Sequence, residues 1–228
     1  MVALLLLLAA QVSSFEVASV KPVNPPAGPH VVSLLADHGT LKIEAAELRQ
    51  IVGLAYGIQR VRVVGGPAWS DSDQFDIAAK AERPDVTRDE IRAMLQTLLA
   101  GRFELQVHRE TKELPAYALV VARSGSKLKA SASDGKPSLT DTVGPNGEQR
   151  TVLIASPVRL LVNMLANTLG SPVVDQTGLD GLYDYTFEWP GARSSLFAAV
   201  DELGLKLEAK KQAVEVLVID RAKRPSAN

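Results

Sequence analysis

The chain has no cysteine and only three histidines in 228 residues. The first absence removes disulfides, a thiol nucleophile, thiolate zinc ligands and thiol redox chemistry together. The second leaves His30, His38 and His108, none of them in a close pair or in an HExxH arrangement. A zinc hydrolase site therefore has no support in the sequence. Serine hydrolase chemistry lacks its marker too: no GxSxG elbow is present. Gly65-Gly66-Pro67 is followed by no GK[ST], so it reads as a tight turn and not a phosphate loop. Charge of one sign is also missing. With 25 basic and 26 acidic residues the formal net charge is −1. That balance argues against a nucleic-acid partner and against a polybasic membrane-surface patch.

Long apolar runs are scarce. Residues 2–10, VALLLLLAA, form the one strong run. As a helix it would rise about 14 Å, under half of a bilayer core, so it cannot span. Its length suits the core of a signal peptide, with Val12-Ser13-Ser14 as small residues before a cut ahead of Phe15, although no Lys or Arg precedes it. The expected protein is exported, periplasmic or extracellular, with no stable membrane span once residues 1–14 are removed. Without disulfides, its stability must come from an apolar core.

What is present is a pattern written twice. FEVASVK at 15–21 reads as a strand ending at Pro22, and HVVSLLA and TLKIE flank an Asp37-His38-Gly39 hairpin turn. Leu48, Ile51, Val52, Ala55 and Tyr56 place one apolar face on a helix over 46–57, which Gly57 ends. FDIAAKA at 75–81 is a strand. Thr87 and Glu90 predict a capping box for a second helix with Ile91, Met94, Leu95, Leu98 and Leu99 inward, closed by Gly101. FELQVHRE and AYALVVAR then read as a hairpin around Lys112-Glu113-Leu114-Pro115. The second half repeats the order: RTVLIA, a helix capped by Ser156 with Pro157 at its first position, YDYTFEW at 183–189, a helix capped by Ser194 or Ser195, then LKLEAKK and AVEVLVID.

The predicted class is α+β, two similar modules, each with two amphipathic helices on a small mixed or antiparallel sheet. The expected boundaries are a signal peptide over 1–14, a first module over 15–123, a linker or long loop over 124–150, a second module over 151–222 and a frayed tail over 223–228.

Two loops hold equivalent places in this pattern, each between a helix and a strand: 65–74, GGPAWSDSDQ, and 175–181, DQTGLDG. Gly65, Gly66, Pro67, Trp69, Asp71 and Asp73 in the first, with Asp175, Thr177, Asp180 and Gly181 in the second, are the candidate interaction residues. Trp69 beside Gly and Asp can stack on a ligand or a partner chain, or pack beneath its own loop. Asp71, Asp73 and Asp76 are densely spaced, but a calcium loop needs a glycine and a distal glutamate that this segment does not supply. No catalytic residue, metal site or cofactor is assigned.

FEVASVKP, LAYGI, GGPAWSDSDQFDIAAKA, MLQTLLAGRFELQVHRETKELPAYALVV, VVDQTGLDGLYDYTFEW and the closing VEVLVIDRAKRPSAN resemble uncharacterised secreted proteins abundant in soil acidobacteria, a domain of unknown function. The resemblance covers about residues 15–228. Related domains form the exported portion of membrane metallopeptidases of the β-lactam-sensing type. TRDEIRAMLQTLL at 87–99 is also similar to the helix of the short modules at the N-termini of secretins and TonB-dependent receptors. The repeated scaffold, the expected signal peptide and the missing catalytic constellation point to a non-catalytic binding or interaction protein of the cell envelope, whose partner is an envelope protein met by strand addition or through the two loops. Two alternatives are carried: a sensory domain for a small extracellular ligand, and a hydrolase working with carboxylates alone.

Overall fold

The computed structural model describes residues 14–24, 35–132, 138–145 and 147–225. Most of the expected signal peptide, and the 30–34 part of the strand expected at 30–36, lie outside them. In chain order the elements are β1 (Val17–Pro22), β2 (Leu35–Asp37), β3 (Thr40–Glu47), α1 (Leu48–Tyr56), β4 (Val63–Gly65), β5 (Gln74–Lys80), α2 (Arg88–Arg102), β6 (Gln106–Val121), β7 (Lys129–Ala130), β8 (Ser138–Val143), β9 (Gln149–Pro157), α3 (Val158–Leu169), β10 (Val173–Asp175), β11 (Leu182–Trp189), α4 (Leu196–Glu202) and β12 (Leu205–Arg221). The architecture is mixed α and β and rich in strand. Contacts divide it into two compact units, one of Met1–Glu110 with Leu217–Asn228 and one of Thr111–Val216; β6 and β12 run through both.

In the first unit the sheet order is β1-β5-β3-β2, antiparallel throughout. Alternation puts Leu41 and Ile43 of β3, and Phe75, Ile77 and Ala79 of β5, on the buried face. Leu48, Ile51, Val52 and Ala55 of α1 and Ile91, Leu95 and Leu99 of α2 close the core over them. The hairpin turn is as expected: His38 and Gly39 both take positive φ, 47° and 73°. Gly57 ends α1 in the left-handed region, and Thr87 and Glu90 form the capping box of α2. Gly101 does not close α2, which runs one residue further and is capped by Phe103. The end of β12 pairs in parallel with β4, Leu217 opposite Val63.

In the second unit the sheet order is β7-β11-β9-β8, again antiparallel. Leu153 and Thr151 of β9 stand opposite Tyr185 and Phe187 of β11 on the buried face, under α3 and α4. β10 pairs in parallel with β6, Val173 opposite Tyr117. Residues 124–150, expected as a linker or long loop, carry β7 and β8. The strands expected on either side of Lys112–Pro115 are one strand, β6, and the strands expected at the end of the second half are one strand, β12. The backbone stays extended through both segments. None of Lys112, Glu113, Leu114 or Pro115 takes the positive φ that a tight hairpin requires, and half-buried and exposed positions keep alternating through them. β12 contains no glycine, proline or asparagine to stop it. Ser156 is likewise not a helix cap: Pro157 holds that position, and the Ser156 hydroxyl is buried, donating to the carbonyls of Ile154 at 3.0 Å and Ser138 at 3.2 Å.

Tyr185 carries a stability prediction. Its hydroxyl is buried near the Leu161 backbone without a hydrogen bond of normal geometry, and burial pushes the phenol far above its usual range. Removing a buried polar group that lacks a partner relieves its desolvation cost, so Tyr185→Phe is expected to raise the unfolding free energy by about 1 kcal/mol. Urea denaturation checks this; a loss instead of a gain would mean that the hydroxyl is well bonded.

Candidate functional site

In the first unit the 65–74 loop is built on α1. Arg49, on its first turn, reaches over β4, donating from Nη1 to the Val63 carbonyl at 2.7 Å and from Nη2 to that of Gly65 at 3.0 Å. Its Nε stands 2.7 Å from Asp71 Oδ1, although the N–H is not aimed at that oxygen, so the contact is ionic in character. Arg60 pairs with Glu47 and lies 3.5 Å from the same Asp71 oxygen. Gly65 and Gly66 both take positive φ, and a Cβ on Gly65 would stand 2.9 Å from the Ile219 carbonyl oxygen. Only glycine allows that approach to β12. From Pro67 the chain enters a short 3-10 turn, Ala68–Asp71, closed by the Ser70 amide and hydroxyl on the Pro67 carbonyl.

That turn fixes Trp69. The indole stacks on Phe103 at 6.4 Å between centroids and meets Phe75 edge-on at 6.1 Å, so most of the ring packs beneath its own loop. The Asp73 amide donates to the Trp69 carbonyl at 2.9 Å, which sets the Asp73 carboxylate beside the indole. Arg224 covers the remaining ring surface, its guanidinium 5.2 Å from the ring centroid and its Nε donating to Asp73 Oδ2 at 2.7 Å. The chain expected to fray after 222 is thus tied down as far as Arg224. The Lys223 amide donates to the Phe103 carbonyl at 2.6 Å, and Arg221 and Lys223 both reach Glu104 at 2.8 Å.

The three aspartates of DSDQFD are directed to three different donors. Asp71 faces Arg49 and Arg60, Asp73 faces Arg224, and Asp76 accepts from the Ala45 amide at 2.7 Å. Among the described residues no group of three His, Cys, Asp or Glu is placed to hold a metal ion. His108 is exposed on β6, 2.9 Å from Asp220 of β12.

In the second unit, Asp175 Oδ1 accepts from the Thr177 amide at 2.9 Å and hydroxyl at 2.7 Å, and the Leu179 amide donates to that hydroxyl. The loop is two nested side-chain turns. Asp180 and Gly181 stay exposed, with the Tyr183 ring against Gly181. Gln176 links the loop to β12: Lys210 Nζ donates to its Oε1 at 2.8 Å, and its Nε2 donates to Gln212 Oε1 at 3.1 Å. Nearby, Pro115, Ala116, Tyr117, Ser171, Ala209 and Lys210 line a cavity of about 330 Å³.

A further surface escaped the sequence reading. β8 ends the second unit's sheet, and Leu139 and Val143 on it are 45% and 66% exposed. Leu139 stands opposite Leu153, so it extends the buried face of the sheet out to β8, its last strand among the described residues. The alternation of SLTDTV was visible in the sequence, but its Ser-, Gly- and Pro-rich flanks concealed it. Arg49 and Arg224 carried no local signal at all, because their partners are distant in the chain.

The family model described as Protein of unknown function (DUF3738) matches residues 49–222. The chain belongs to this family. No curated protein and no solved structure matches it. Both loops, the cavity and β8 lie inside the DUF3738 match, whereas β1, β2, β3 and Arg224 lie outside it. The described residues contain no helix long and apolar enough to cross a membrane.

Proposed function

We propose that the chain is an exported, non-catalytic binding protein of the cell envelope, and that it takes an extended segment of its partner by strand addition along β8. The observation that carries this reading is the edge itself. Sheet edges in soluble proteins are guarded by charged side chains, lysine above all, by proline, by bulges or by shortness. β1 carries Lys21 and Pro22, and β2 and β7 are three and two residues long. β8 has six residues and neither proline nor lysine, its one charge is Asp141, and Leu139 and Val143 stand two pleats apart. Added strands gain affinity from main-chain hydrogen bonds and specificity from alternate side chains. The partner segment accordingly carries apolar side chains at alternate positions.

The test is capture from envelope extract by the full chain beside a Leu139→Lys/Val143→Lys variant. Both positions are exposed, so the variant should keep its unfolding midpoint while charge on the edge blocks pairing. The expected result is loss of capture in the variant, with slowed amide exchange over 138–143 when the wild type is bound. Capture undiminished in the variant, or no capture by the wild type, overturns the reading.

The paired design of the sequence is part of the same proposal: one module used twice. Its support is a shared detail. Ala45 and Ala155 both take positive φ, 45° and 48°, just before α1 and α3, and each donates its amide to an aspartate on the neighbouring strand, Asp76 and Asp184. Kinship with the short modules of secretins and receptors, and with secreted proteins of acidobacteria, rests on the sequence resemblance alone. Export rests on the apolar run over 2–10.

A second reading, a sensory domain for a small extracellular ligand such as a cell-wall fragment, is favoured by the cavity beside Lys210. Thermal-shift screening with such fragments tests it. A carboxylate hydrolase has less support, since Asp71 and Asp73 both face guanidinium groups.

A further inference from the structure

We propose that Trp69 and Asp73 form a receptor for a guanidinium group, occupied in the free protein by Arg224, and that an arginine side chain of a partner polypeptide takes Arg224's place. The receptor is fixed before anything binds. The indole is clamped by Phe103 and Phe75, and Phe75 and Phe103 meet edge-on at 5.1 Å, so its plane is set by the core. The carboxylate is set by the short turn from Trp69, and Ser72 holds its other oxygen, the hydroxyl donating to Oδ1 at 3.3 Å. A planar face beside an anchored carboxylate fits a guanidinium, which can stack and donate at once; an ammonium can do only one of these well.

The occupant, by contrast, is loosely held. The Arg224 side chain is 61% exposed, and such pairs contribute little to stability. The chain leading to it does not depend on it: the Lys223 amide on Phe103 and the two cations on Glu104 anchor the backbone up to residue 223. Arg224 can therefore leave its seat without releasing the strand. Trp69 and Asp73 lie inside the family match and Arg224 two residues beyond it.

The test uses the full chain and N-acetyl-arginine amide, followed by the Trp69 indole N–H resonance, with N-acetyl-lysine amide as the comparison. Arg224→Ala should bind the arginine probe about two- to sixfold more tightly than the wild type, because no internal competitor remains. Arg224→Ala/Asp73→Asn should lose most of that gain, and the lysine probe should bind at least fivefold more weakly than the arginine probe. Thermal unfolding of Arg224→Ala within a degree or two of the wild type shows that the seat is empty and not unfolded. Equal affinity in wild type and Arg224→Ala, no binding to either, or a gain that survives Asp73→Asn overturns the proposal. None of these outcomes bears on the β8 edge, which is tested by its own variant.

Discussion

Phe103→Ala is expected to lower the unfolding free energy by about 3–5 kcal/mol, the cost of deleting a large ring from a closed core. Phe103 is 0% exposed and is the hub of the first unit's aromatic group, edge-on to Phe75 at 5.1 Å and stacked under Trp69 at 6.4 Å. Truncation removes both ring contacts, each worth about 0.5–1.5 kcal/mol beyond the buried area. It also leaves a hole that the sheet on one side and α2 on the other cannot fill. The consequence reaches the surface. Trp69 loses the ring beneath it, so the loop from Gly65 to Asp73 and the Arg224 contact above it loosen together. Urea denaturation should show the loss, and Lys223 should exchange its amide proton faster, because the Phe103 carbonyl that accepts it is no longer held in place. Leu182→Ala, at a position 41% exposed, is the comparison and should change stability by no more than about 0.5 kcal/mol. A Phe103→Ala loss of similar size would mean that the three rings are not packed as a unit.

The contrast between Phe103 and its surroundings shows what the sequence makes legible. The turn at His38-Gly39, the Thr87–Glu90 box and the Gly57 cap depend on neighbours within four residues, and each is readable from those residues alone. The apolar stripes of α1 and α2 follow from period, and they do line the core. Whether Lys112–Pro115 turns or continues depends on what pairs with β6, and nothing in those four residues encodes it. β8 is an edge strand, polar on one face and open on the other, and composition alone cannot separate such a strand from a loop. The candidate loops were located by their place between helix and strand. What governs them was not: Arg49, Arg224 and Asp76 act across 16, 151 and 31 positions of sequence. Side chains that close such distances leave no periodicity behind them.

Asp76 gives the second large effect, and it bears on whether the chain is one module used twice. Ala45 holds φ at 45° in a bulge where the β3–β5 register shifts, and its amide is satisfied by the Asp76 carboxylate at 2.7 Å. Asp76→Ala orphans that amide at a nearly buried residue, and a loss of about 1–3 kcal/mol is expected. Ala45→Gly relieves the left-handed strain and should recover part of the loss, but not the part due to the missing acceptor. The second unit offers the same pair: Ala155 at φ 48°, its amide 2.8 Å from Asp184. There the carboxyl is held below its usual range, first by the Ala155 amide and then by the Ser131 hydroxyl, against an opposing desolvation. A carboxyl whose folded pKa is depressed adds stability above its unfolded pKa, and that stability drains away as pH falls through the folded value. Acid titration of the wild type should therefore show a loss of unfolding free energy below about pH 4, the unfolded range of aspartate. Asp184→Asn should flatten that slope. One module used twice requires Asp76→Ala and Asp184→Ala to lower the urea midpoint by similar amounts, each partly rescued by glycine at its own alanine. A large loss at one and none at the other would make the two bulges separate inventions.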